Sequence, residues 1–154
     1  MKTSKPSETA ATPKASSTST NSWARPEPGD VLFYWYLWQN EHARGEESGR
    51  KARPCLVLSA DEVGRGRLVR VVPLSSKNYT PAESIAVPPR VSHMLGLTGK
   101  SWIVPIEVNR FIWTGPDVVP TRSGGPYFGK VPRALFDHAK EVYLKRARPE
   151  IYRD

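Results

Sequence analysis

The stretch "GRKARPCLVLS", Gly49 to Ser59, sets three cations, Arg50, Lys51 and Arg53, directly against the apolar run Cys55–Leu58. Pro54 biases the preceding Arg53 towards an extended backbone. An arginine restrained at the mouth of a strand can meet a phosphate as a planar, bidentate, permanently charged donor. The same placement also suits a solvated flank that keeps a hydrophobic strand soluble. A second group lies in "VVPLSSKN", where Ser75 and Ser76 precede Lys77. A hydroxyl there can bond a phosphate oxygen or a ribose, and it can equally cap a turn. Histidine is the usual acid–base residue where phosphodiesters are cleaved. His42 lies in a polar stretch from which it can approach a polyanion, whereas surface or packing roles are expected of His93 and His138, in predicted helices. The chain has one cysteine and three histidines without zinc-ligand spacing, so no metal or cofactor is expected.

These residues need elements to hold them. "VLFYWYLW", Val31–Trp38, reads as a first strand, and its successive Tyr34, Trp35 and Tyr36 place aromatic rings on both faces, for core packing, base stacking or a subunit contact. "QNEHARGEESGRKARP" reads as a long polar loop, "CLVLSA" as a second strand, "DEVGRGR" as a hairpin turn and "LVRVVPLS" as a third strand. "SIAVPP" gives a short strand. "RVSHMLGLTG" gives a short helix on Val91, Met94 and Leu95. "KSWIVPIEVNRFIW" alternates, with Trp102, Val104, Ile106 and Val108 on one face and Pro105 demoting part of it to an edge or bend. "TGPDVVPTRSGGPYFG" is turn-rich and irregular. "VPRALFDHAKEVYLKRAR" closes as a helix with Pro132 in its first turn and an apolar stripe of Leu135, Ala139, Val142 and Tyr143. Short strands, many turns and few helices predict a mainly β fold: a strongly bent antiparallel sheet or barrel with a C-terminal helix.

The chain has 154 residues, enough for one domain with a core. Residues 1–24, dominated by Ser, Thr, Pro, Ala and Lys, cannot bury enough surface to offset their ordering entropy and are expected to be a disordered tail; residues 25–154 form the domain. A formal net charge of +8 favours polyanionic partners, nucleic acid before a membrane surface or an acidic protein segment. The longest uncharged apolar run is far too short to span a bilayer as a helix, and the N-terminus lacks the apolar core of a secretory signal, so a cytoplasmic protein without membrane attachment is expected.

The ordered set Gly29-Asp30 at the first strand, Arg53-Pro54 at the second and Pro73-Leu74-Ser75 closing the third resembles the MazF/PemK family of toxin endoribonucleases. The likeness spans about Pro28 to Trp113, including "LTGKSWIVPIEVNRFIW". It implies an SH3-like curled barrel, a homodimer, an antitoxin with an acidic disordered segment, and sequence-specific, metal-independent cleavage of single-stranded RNA by 2′-OH attack. The family's arginine falls on Arg53 and its threonine on Ser75, which keeps the hydroxyl but not the rotamer-restricting methyl. On this resemblance Arg50, Lys51, Lys77, Glu47 and His42 are candidate substrate-binding residues; Glu47 falls near a glutamate of the relatives in a loop that is longer here. The same barrel type also serves a gyrase-poisoning toxin and non-catalytic nucleic-acid binders, which remain the competing readings.

Overall fold

The computed structural model describes residues 23–45 and 51–153; the stretch expected to be a tail, up to residue 22, lies outside them. In chain order the elements are β1 (Asp30–Trp35), α1 (Gln39–Ala43), β2 (Ala52–Val63), β3 (Gly66–Ser75), β4 (Ile85–Ala86), α2 (Pro89–Met94), β5 (Trp102–Ile103), β6 (Asn109–Ile112), β7 (Tyr127–Lys130), α3 (Arg133–Arg146) and β8 (Ile151–Arg153). The sheet runs β4-β5-β3-β2-β1-β7, with β6 on β3 and β8 parallel to β6; every other pairing is antiparallel.

The curl follows from how β3 is shared. β2 takes one edge of β3. The other edge is divided, with Leu68–Val71 paired to β6 and Leu74–Ser75 to β5. With β5 and β6 sharing that edge in succession, the sheet is a curled half-barrel. A register shift between Val57 and Ser59 adds the local twist that a bulge gives. The Leu58 carbonyl at this bulge accepts a bond from Lys140 Nζ on α3, at 3.5 Å.

The uninterrupted apolar runs of β2 and β3 follow from burial on both faces. Leu56, Leu58, Val72 and Leu74 join one cluster, covered by Val91 and Leu95 of the α2 segment and by Leu135, Phe136, Ala139 and Val142 of α3. Cys55, Val57, Val69 and Val71 face the other way, against Tyr34, Tyr36 and Phe111, with Trp23 packed at the margin. Each fully buried aliphatic side chain here contributes about 1.5–3 kcal/mol of transfer free energy.

Several boundaries differ from the sequence expectation. The first strand stops at Trp35, and the expected long loop opens with α1 and closes inside β2. The hairpin strands run on to Val63 and Gly66, leaving a two-residue turn. The stretch from Trp102 to Ile112 is two strands, because Pro105 sits in a turn between them. Met94 is exposed, while Val91 and Leu95 carry the helix's contact with the core. The irregular segment contains β7, whose Gly129 has φ +144° and whose Cβ, if present, would lie 2.9 Å from Leu95. No helix among the described residues is long and apolar enough to cross a membrane.

Candidate functional site

Arg53 enters β2 opposite Tyr34 of β1. Two residues further on, Cys55 lies opposite Pro73, so the antiparallel register carries Arg53 to the end of β3, where Ser75 lies. The Arg53 guanidinium donates through Nη1 to the Leu74 carbonyl at 3.4 Å, a long bond. It lies 5.0 Å from the centroid of the Trp38 ring. Its Nε is buried with no hydrogen-bond partner among the described residues.

Ser75 is 4 % exposed, and its Oγ accepts the Lys77 backbone N–H at 3.1 Å. The hydroxyl therefore caps the turn that leaves β3, one residue from the carbonyl that Arg53 contacts. Lys77 and Lys51 are exposed, one just beyond each of the two strand ends. His42 is exposed on α1. His138 lines a hollow on α3 with Glu83, Glu141 and Lys145, and His93 is exposed on α2. Glu47 and Arg50 lie outside the described residues. Among the described residues no three His, Cys, Asp or Glu side chains gather as a metal site.

The fold adds residues that the sequence reading did not single out. Trp38 sits where the chain turns from β1 into α1, and three consecutive backbone N–H groups are held there by side chains. Leu37 N–H donates to Asn109 Oδ1 (2.9 Å), Trp38 N–H to Glu41 Oε1 (3.0 Å) and Gln39 N–H to Glu107 Oε1 (2.9 Å). Asn109 Nδ2 returns a bond to the Leu37 carbonyl at 2.9 Å. Arg153 braces the same turn, donating to Asn109 Oδ1 and to the Trp35 carbonyl, both at 3.0 Å, and to Asp117 at 2.9 Å. Burial pushes the Glu107 carboxyl up, opposed by the Gln39 N–H and by Arg148, which bonds its other oxygen at 2.9 Å. Asp117 is raised by burial and lowered by Arg153. The signal for Asn109 and Glu107 was present in "IVPIEV" and the asparagine that follows it: two polar residues set among apolar ones, both now buried. Tyr79 is 63 % exposed, with its ring 6.3 Å from that of Trp38 at 79°. Nothing in local spacing joins Tyr79 to Trp38. Of the successive Tyr34, Trp35 and Tyr36, which run from β1 just past its end, Tyr34 and Tyr36 are core residues and Trp35 alone is exposed.

The fold and this corner together define a class: a small basic half-barrel with a cation and aromatic rings at the joined ends of two strands. The family model described as PemK-like, MazF-like toxin of type II toxin-antitoxin system matches residues 27–110, more than half of the chain, and the protein belongs to that family. No curated protein sequence matches the chain. Among solved structures, an endoribonuclease in complex with its cognate antitoxin, from a mycobacterial species, is 21% identical, with 81% of this chain and 100% of that chain covered at a TM-score of 0.47. The MazE-MazF complex of Deinococcus radiodurans is 14% identical, with 79% and 94% covered at 0.48. A further structure, of an endoribonuclease from a mycobacterial species, is 18% identical, with 83% of this chain and 99% of that chain covered at 0.44.

Proposed function

We propose that this toxin is an endoribonuclease that cleaves single-stranded RNA by directing the substrate's own 2′-OH onto the adjacent phosphodiester. The 2′-O–P bond forms as the P–O5′ bond breaks; the 2′-OH proton leaves and the departing 5′ oxygen gains one. The products are a 2′,3′-cyclic phosphate and a 5′-OH. Because the nucleophile is tethered to the reacting phosphate, the attack is intramolecular and the protein has only to align it and stabilise charge. The observation that carries this reading is Arg53: a guanidinium at a strand mouth, set over Trp38, with one long bond to Leu74 and an Nε buried without a hydrogen-bond partner among the described residues. In this role it supplies N–H donors to the phosphorane oxygens. Ser75 orients the phosphate with its hydroxyl, and Lys51 and Lys77 raise the local concentration of RNA. No step requires a metal ion. The antitoxin, through an acidic disordered segment, covers the same cations by charge pairing. The working unit is a homodimer.

The test is cleavage of single-stranded RNA in EDTA by the wild type, Arg53→Ala and Arg53→Lys. Wild type yields cyclic-phosphate ends. Arg53→Ala loses about 100-fold or more in kcat, as expected for removal of a charge stabiliser, and Arg53→Lys restores only part because it lacks the planar fork. Equal cleavage by Arg53→Ala, or none by any variant on varied RNAs, would overturn the reading; the second outcome moves the protein to the binding-only uses of this barrel.

A further inference from the structure

Tyr79 is the most exposed aromatic ring among the described residues, in the loop that leaves β3 directly after Ser75 and Lys77. Exposing this much of a tyrosine leaves apolar area in water without return in stability. The loop is not loose on either side of it. Before Tyr79, the Ser75 hydroxyl holds Lys77 N–H at 3.1 Å. After it, Thr80 accepts from Glu83 N–H (2.9 Å) and Ser84 N–H (2.7 Å), and the Thr80 and Ser84 hydroxyls share a 2.6 Å bond. Behind Tyr79 stands Trp38, packed edge-on against Tyr36 at 5.4 Å and covered by the Arg53 guanidinium. The result is an aromatic ring held out to solvent beside a cationic corner. A nucleobase attached to a phosphate at Arg53 has the chemistry to fill that position, since every base presents a π face.

We propose that Tyr79, backed by Trp38, is the nucleobase-stacking and specificity-determining residue of this site. The base flanking the scissile phosphate stacks on Tyr79, while Trp38 fixes both that ring and the arginine. Stacking in this geometry acts on RNA binding and on which base is tolerated beside the cut, and acts little on the chemical step. The proposal rests on the reading of the Arg53 corner as the site of RNA cleavage.

Two measurements keep the two ideas apart. In the first, a random-sequence single-stranded RNA pool is cut by the wild type, Tyr79→Phe, Tyr79→Leu, Tyr79→Ala and Arg53→Ala, and the new 5′-OH ends are sequenced. Tyr79→Phe keeps the wild-type base preference and KM. Tyr79→Leu and Tyr79→Ala flatten the preference at one position flanking the cut and raise KM roughly ten-fold, with kcat changed less than about three-fold, in line with the loss of one base–aromatic stack. In the second, a 2′-O-methyl RNA pool, which has no nucleophile, is bound at equilibrium. Tyr79→Ala weakens binding roughly ten-fold and Tyr79→Phe does not. Unchanged binding and unchanged preference in Tyr79→Ala overturn the stacking role, whatever Arg53→Ala does. Full cleavage by Arg53→Ala overturns the catalytic reading, while the 2′-O-methyl measurement still decides whether Tyr79 holds a base.

Discussion

Replacing Asn109 by alanine tests the brace that places Trp38 against Arg53. Asn109 is fully buried and makes three bonds: it accepts from Leu37 N–H, donates to the Leu37 carbonyl and accepts from Arg153 Nη1. The two neutral bonds contribute about 1 kcal/mol each, and the charged one about 1.5–3 kcal/mol; Arg153 retains Asp117 and the Trp35 carbonyl. The expected loss is therefore about 3.5–5 kcal/mol, a large share of the stability of a domain of this size. Asn109→Asp keeps the acceptor for Leu37 N–H and for Arg153 but sets an oxygen against the Leu37 carbonyl, so its loss should fall between wild type and alanine. The assay is equilibrium urea unfolding followed by fluorescence and far-UV circular dichroism, read as a midpoint shift at constant slope. The same variants should lower RNA cleavage in conditions where they remain folded, because the turn carrying Trp38 loses its anchor. A loss below about 1 kcal/mol for Asn109→Ala would refute the brace, since that is the size expected of a single neutral bond.

Further outcomes are expected. Because burial raises the Glu107 carboxyl, the fold holds more protons than the unfolded chain from about pH 4.5 upward to the raised value, so Glu107 makes stability fall as pH climbs through that window. Glu107→Gln should remove that part of the slope, and superimposable urea midpoints against pH for the two proteins would contradict it. Ser75→Ala should lose about 1 kcal/mol with the Lys77 turn bond, measured by thermal melting. On the proposed phosphate role its cleavage should fall well beyond that while Ser75→Thr retains activity; equal activity of the alanine variant would leave Ser75 only its cap. Cys55 is fully buried and its thiol is pushed up by burial, so a thiol reagent should label it only at the rate of global opening. Rapid stoichiometric labelling of the native protein would disprove that.

The mainly β, half-barrel architecture and the C-terminal helix were legible because β2, β3 and α3 are specified locally: continuous apolar runs, a Gly-containing turn and a stripe at helical spacing. What was missed is specified at a distance. β8 is three residues long, follows Pro149, and exists because it pairs with β6 and buries Arg153. β7 contains a glycine at positive φ, a poor strand signal, and is held by β1. α1 was hidden in a polar stretch, since its fixed turn depends on Asn109 and Glu107 some 70 residues away. The site divides in the same way. Arg53 could be named as a candidate from its own neighbours, Pro54 and the strand that follows. Tyr79 and Trp38 have no spacing in common, and only the curl of the sheet brings them to one corner.

The brace from Arg153 also orders events in time. The Trp35 carbonyl leaves the ribosome 118 residues ahead of the guanidinium that holds it. A nascent chain that ends between Ser75 and that arginine carries Arg53 and Ser75 but lacks the Arg153 bonds that brace the turn beside them. Closing so long a loop is among the slower steps a chain can take, and its entropy cost is offset only when the final contacts form. For a protein of a toxin family this sets a natural delay: the hairpin can fold early in synthesis, while the corner that would meet RNA matures after the last strand is in place.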